Sequence, residues 1–156
     1  QGFTLVELLV VIAIIAVLSV IGFAAFSGLT GRGNDARRRA DVKAVSDVLE
    51  VARANFATYT LPPAANSFSG GIVPEDPQYD STATTGRGLV RYCMLSNSTG
   101  AITNPAASTW FTAPSTYTAC PTSWTPVGTL AAATPTFFKV CALLNDNTVS
   151  CVGSRQ

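Results

Sequence analysis

Few residues in this chain are equipped for chemistry. None of the 156 residues is histidine, which removes the commonest general base and the commonest metal ligand together. Beyond residue 60 the acids are Glu75, Asp76, Asp80 and Asp146, and no nucleophile and base stand in a recognisable arrangement. The expectation is therefore a protein that is not an enzyme and uses no cofactor. Glu75, Asp76 and Asp80 carry oxygen ligands of the kind calcium takes, yet three acids in one loop are ordinarily solvated, and no metal site is expected. Ten basic residues against nine acidic ones leave no charge excess to draw nucleic acid over the whole surface.

The four cysteines, Cys93, Cys120, Cys141 and Cys151, contain no C-x-x-C pair. Without histidine to complete a zinc site, two disulfides in an oxidising compartment are the natural reading. A hairpin centred on Asp146 sets Leu144 against Thr148, Leu143 against Val149 and Cys141 against Cys151. That register favours a Cys141–Cys151 bridge and leaves Cys93 and Cys120 for the second, although four cysteines allow three connectivities.

Glu7 is the only charged residue before Arg32, and it stands at the head of an uncharged run, Leu8 to Phe26, of nineteen residues. A helix needs about 20 apolar residues to cross the hydrocarbon layer, so the run is a membrane-spanning candidate. It is also longer than the apolar stretch of a cleaved signal peptide. A carboxylate buried in so apolar a surround is costly unless it meets a cation, and Glu7 therefore asks for a partner.

The elements that hold these residues follow from pattern. Residues 1–33 read as an apolar helix and a membrane anchor. Within it Gly22, Gly28, Gly31 and Gly33 weaken the helical signal, each by roughly 1 kcal/mol relative to Ala. They permit either a hinge, with Gly22 and Gly28 as its centre, or close packing of helices. Residues 34–156 read as a head. Its helix, 34–61, carries a stripe of Val42, Val45, Leu49, Ala52, Phe56 and Tyr59, with Asn34 or Asp35 as a cap. Arg37, Arg38 and Arg39 fall to a solvated face. Positive charge beside a span usually marks the cytoplasmic side, which opposes an exported head unless charge removed with a leader outweighs it.

Pro62 and Pro63 end the helix. A loop follows over 62–86, then a sheet region over 87–156 with strands at Leu89–Leu95, Phe137–Leu144 and Thr148–Val152. Between the first two lies a stretch dense in Ser, Thr, Ala and Pro, with room for one or two short strands. Asn97-Ser98-Thr99 is an N-glycosylation sequon. The fold class expected is α+β: a long N-terminal helix packed on a small antiparallel sheet with disulfides.

The opening GFTLVELLVVIAIIAVLSVIGF resembles the class III signal and helix of type IV pilins and their pseudopilin relatives. The match is specific for about the first 26 residues and architectural for the rest. The resemblance implies cleavage after Gly2 by a prepilin peptidase and N-methylation of Phe3. It implies that Glu7 meets the N-terminal amine of a neighbouring copy during assembly. The chain departs from the pattern in retaining Gln1 and Gly2, and in having Ala24, with Gly22 and Gly28 nearby, where the family often has proline.

The implied partners are identical copies in a helical filament, the inner membrane before assembly, the pilus assembly machinery, and a surface or DNA bound by the filament. The implied location is the inner membrane for the precursor and an extracellular pilus afterwards. Two other functions compete, a pseudopilin of a type II secretion system and a monomeric single-span membrane protein with a ligand-binding head. Physics alone asks for polymerisation: a helix apolar all round needs lipid or copies of itself, and one heterologous contact repeated without closure gives a filament.

Overall fold

A computed structural model describes residues 2–53, 59, 61, 63–112, 116–131 and 133–154, the side chains of 24, 25, 27, 111 and 112 excepted. Gln1, Phe56, Pro62 and the side chain of Ala24 lie outside the described residues. The fold is α+β. The chain divides into two compact units, Gln1–Gly33 and Asn34–Gln156, and helix α1, Leu5–Arg53, supplies elements of both.

In the first unit α1 is apolar on every side. The large apolar side chains from Phe3 to Leu29 remain 47–83% exposed, and the helix's most apolar window has a mean hydropathy of 3.1 with none of it buried. The helix runs unbroken through Gly22, Gly28, Gly31 and Gly33. Nothing lies within 4 Å of a Cβ built on Gly22 or Gly28, so in the single chain neither packing nor strain acts on these glycines. The unwinding expected of them concerns the filament, where neighbouring helices would crowd the same positions.

In the second unit the same helix acquires a buried face. Val42, Val45 and Leu49 are fully buried, repeating at the spacing that stacks side chains along one stripe. Helical backbone continues through Asn34 and Asp35, so neither caps a separate helix. The described helix reaches Arg53, and by Tyr59 and Leu61, where the stripe should still be helical, the backbone is not helix. Tyr59 and Leu61 instead lie in extended chain: the Tyr59 N–H donates to Pro135 O at 3.0 Å, and Leu61 exchanges bonds with Ala133. Proline at 62 disfavours helix in the residue before it. Tyr59 still reaches the core, with its ring edge-on to Phe138 at 4.6 Å and its hydroxyl donating to Glu50 at 3.0 Å.

The sheet is antiparallel in the order β4-β1-β5-β6, built from β1 (Cys93–Asn97), β4 (Thr125–Pro126), β5 (Phe137–Leu143) and β6 (Val149–Gly153). Two two-residue strands, β2 (Phe111–Thr112) and β3 (Thr116–Tyr117), pair separately. The first sheet strand starts later than expected, because Arg87–Leu89 forms a 3-10 turn. Strand β5 is apolar nearly throughout because both its faces are covered. Phe138, Val140 and Ala142 join Val42, Val45 and Leu49 in one core. Cys141 and Leu143 join Val90, Cys93 and Trp110 in another.

Candidate assembly site

The N-terminus of α1 forms a capping box. The Thr4 backbone N–H and hydroxyl both donate to Glu7 Oε2, at 2.9 and 2.6 Å, and the Glu7 N–H donates back to Thr4 Oγ1 at 3.3 Å. Two backbone donors that no helical turn can satisfy are thereby met. The box also answers, within one chain, the demand that Glu7 makes for a partner. Its signal is the spacing Thr4-x-x-Glu7 ahead of an apolar run, which a search for charged partners overlooks. Thr4 supplies donors but no positive charge, so a cation brought to Glu7 would still gain the full charge–charge attraction. Phe3, next to the box, is 79% exposed.

The second polar centre lies in the head and departs most from expectation. Arg38 is fully buried rather than solvated. Its Nε and Nη2 donate to the two oxygens of Asp76 at 2.7 and 3.0 Å, its Nη1 donates to Asp35 at 2.8 Å, and its Nη2 also reaches Gln78 at 2.6 Å. A forked guanidinium on a carboxylate is the geometry that makes such burial tolerable. Burial alone would lower the Arg38 pKa, but the bonds from Asp76 and then Asp35 outweigh it and hold the value above the ordinary one. Asp35 also accepts the Asn145 N–H at 2.9 Å, so one cluster ties helix, loop and β5–β6 turn.

Arg87 packs near this cluster and donates to Leu143 O. Burial first, and the Arg38 charge second, push its pKa down. Tyr92 donates to Asp41 at 2.8 Å, and burial together with that bond pushes its phenol well above the ordinary value.

The three loop acids are not assembled as a cation site. Asp76 is taken by Arg38, Glu75 pairs with Arg91 at 2.7 Å, and Asp80 accepts the Thr82 hydroxyl and N–H at 2.7 and 2.8 Å. Among the described residues no group of three such side chains is placed to hold a metal.

The disulfides join Cys93 to Cys120 and Cys141 to Cys151. Cys141 stands opposite Cys151, with Leu143 opposite Val149, as the hairpin register requires. Asn147, at φ 60°, gives the turn its left-handed residue.

Residues 1–23 match the family model described as the prokaryotic N-terminal methylation motif. No curated protein and no solved structure matches the chain. Over these residues the motif supports a prepilin-type signal, of a type IV pilin-like or pseudopilin-like precursor, and it implies processing by a prepilin peptidase. Together with the exposed apolar helix it fits a precursor anchored in a membrane.

Proposed function

We propose that this protein is the non-enzymatic structural subunit of an extracellular type IV pilus, polymerising through the first unit of α1. The observation that carries the reading is the capped Glu7 at the head of a helix whose apolar surface is exposed on all sides. Such a surface is stable in lipid, and it is stable in water only when other copies cover it. Glu7 then sets the offset between copies. Within a core of packed helices, registers that bring a neighbour's N-terminal amine beside the carboxylate are favoured over those that leave it without a cation. Gly2 and Phe3 are the cleavage and methylation positions in this reading. The fibre serves attachment, twitching motility or DNA uptake. The head would stay in water, its small core reinforced by two disulfides.

The test is to shear surface fibres from cells producing the protein, purify them and sequence their subunit by mass spectrometry. The expected result is this chain as the bulk component, beginning at N-methylated Phe3. Recovery only in the membrane fraction as a monomer would favour the single-span receptor. Fibres confined to the periplasm and dependent on a secretion system would favour the pseudopilin.

A further inference from the structure

Three of the four cysteines form a single rung across the sheet. Cys141 lies opposite Cys151 on one side and opposite Cys93 on the other. Directly paired residues of neighbouring strands share a face, and here the face is the one packed with Val90, Trp110 and Leu143. Cys141 thus has two cysteine neighbours and is bonded to one of them, while Cys93 is bonded to Cys120.

The register also gives the spacing. The Leu144 N–H donates to Thr148 O, and the Ser154 N–H donates to Phe138 O. The hydrogen-bonded pairs between β5 and β6 therefore fall at even positions of β5. Cys141 and Cys151 form a non-hydrogen-bonded pair, with Cα atoms 4.1 Å apart. The peptide groups of Cys141 then face β1, which makes Cys93–Cys141 the hydrogen-bonded kind of pair, with a usual Cα spacing of about 5.5 Å. That spacing lies inside the range of about 4.4–6.8 Å usual for disulfides.

Access is asymmetric. Cys93 and Cys141 are fully buried, whereas Cys120 and Cys151 are partly exposed. A thiol arriving from solvent therefore meets the outer sulfur of either bridge, and the sulfur it expels is an inner one.

We propose that the rung is a thiol–disulfide exchange relay, which converts opening of the Cys93–Cys120 bridge into release of Cys151 and of the covalent tie on strand β6. A dithiol reductant attacks Cys120 Sγ as its thiolate. The mixed disulfide forms, the Cys93–Cys120 bond breaks, and Cys93 leaves as a thiolate. Cys93 then attacks Cys141 Sγ. The Cys93–Cys141 bond forms, the Cys141–Cys151 bond breaks, and Cys151 leaves with the electron pair and takes a proton from water. The second thiol of the reductant resolves the mixed disulfide at Cys120 and departs as a cyclic disulfide. One dithiol is oxidised and one of two bridges is reduced, leaving Cys93–Cys141 with free thiols at Cys120 and Cys151. Strand β6 then keeps its hydrogen-bonded ladder but loses its covalent tie.

The test uses the full-length chain in detergent, reduced partially with dithiothreitol, quenched in acid and alkylated. Trypsin with a protease that cuts before Asp146 separates Cys141 from Cys151, and chymotrypsin, cutting at Trp110, Phe111 or Tyr117, separates Cys93 from Cys120. The molecules that have lost one bridge should carry alkyl groups on Cys120 and Cys151, with the Cys93 peptide joined to the Cys141 peptide. Alkylation of Cys93 with Cys120, or of Cys141 with Cys151, as the only singly reduced forms would overturn the relay. A second arm examines Cys120→Ser without reductant. The relay expects both Cys93–Cys141 and Cys141–Cys151 forms, since the free Cys93 thiolate can attack the neighbouring bridge without any reductant. Exclusive Cys141–Cys151 in that variant would contradict it.

Discussion

One helix is used in two opposite ways. From Leu8 to Leu29 it displays apolar side chains in every direction and buries none of those described. From Asp35 to Arg53 it buries a single stripe, and its other positions carry Arg37, Arg39, Lys43 and Asp47. The first stretch has nothing of its own chain to pack against, so its stability depends on what surrounds it. The second is completed by the sheet. Helix propensity is similar in both, and what separates them is the angular width of the apolar surface. An all-round apolar surface marks a segment for lipid or for other copies, and a stripe marks a segment for its own fold.

The largest effect is expected at Arg38. Arg38→Met leaves Asp76 buried without its cation and should cost about 3–5 kcal/mol of head stability, read as a lowered unfolding midpoint in denaturant. Replacing Asp76 as well, with Leu, should restore much of that loss, because no unpaired charge remains. A next-largest contrast sets the two stretches side by side. Leu49→Ala should destabilise the head by about 2–5 kcal/mol, while Ile14→Ala should leave its unfolding midpoint unchanged and reduce fibre yield.

Arg38 also shows how far the sequence could be read. The buried stripe Val42, Val45, Leu49 extends back one turn to Arg38, so the spacing already placed this arginine on the covered face. Its charge argued the other way, and nothing local announces Asp76, 38 residues further on. Long-range pairing of a buried ion is set by tertiary packing, which single-sequence periodicity does not encode. The helix limit near residue 60 failed for a related reason. Tyr59 continues the spacing, yet it reaches the core from extended chain paired with Pro135. By contrast the β5–β6 hairpin was legible to the residue, because a turn and a period of two fix every facing pair. The capping box was missed, although Thr4 three residues before Glu7 carries its signal.

Smaller effects are expected elsewhere in the head. Tyr92 donates to Asp41, so Tyr92→Phe should cost about 1.5–3 kcal/mol near neutral pH, the range of a hydrogen bond to a charged group. The same bond gives a pH signature. The folded state holds the Tyr92 proton above the ordinary value of 10.0. The unfolded chain therefore binds fewer protons once the pH passes that value, and stability falls by about 1.4 kcal/mol for each further pH unit. Chemical denaturation between pH 9 and about 11.5 should show that slope in the wild type and lose it in Tyr92→Phe. The smallest effect is expected at Asp146, whose carboxyl is held below its ordinary pKa by the Thr148 hydroxyl and then by the Thr148 N–H. Its contribution is present above the unfolded value of 3.8 and fades as pH falls through the folded one. Asp146→Ala should accordingly lower the melting temperature slightly at pH 7, and the difference from wild type should shrink as the pH falls below 3.8.

The exposed stretch is tested most directly at the residue that begins it. Glu7→Ala removes the carboxylate that would fix the offset between copies and leaves the apolar run from Leu8 onward untouched. Membrane-fraction protein and sheared extracellular fibre should be quantified in parallel for wild type, Glu7→Ala and Glu7→Gln. The account predicts wild-type membrane levels in both variants, fibre strongly reduced or absent in Glu7→Ala, and an intermediate yield in Glu7→Gln, which keeps shape and an acceptor but not the charge. Wild-type fibre yield from Glu7→Ala would contradict it and leave the apolar surface alone to direct assembly.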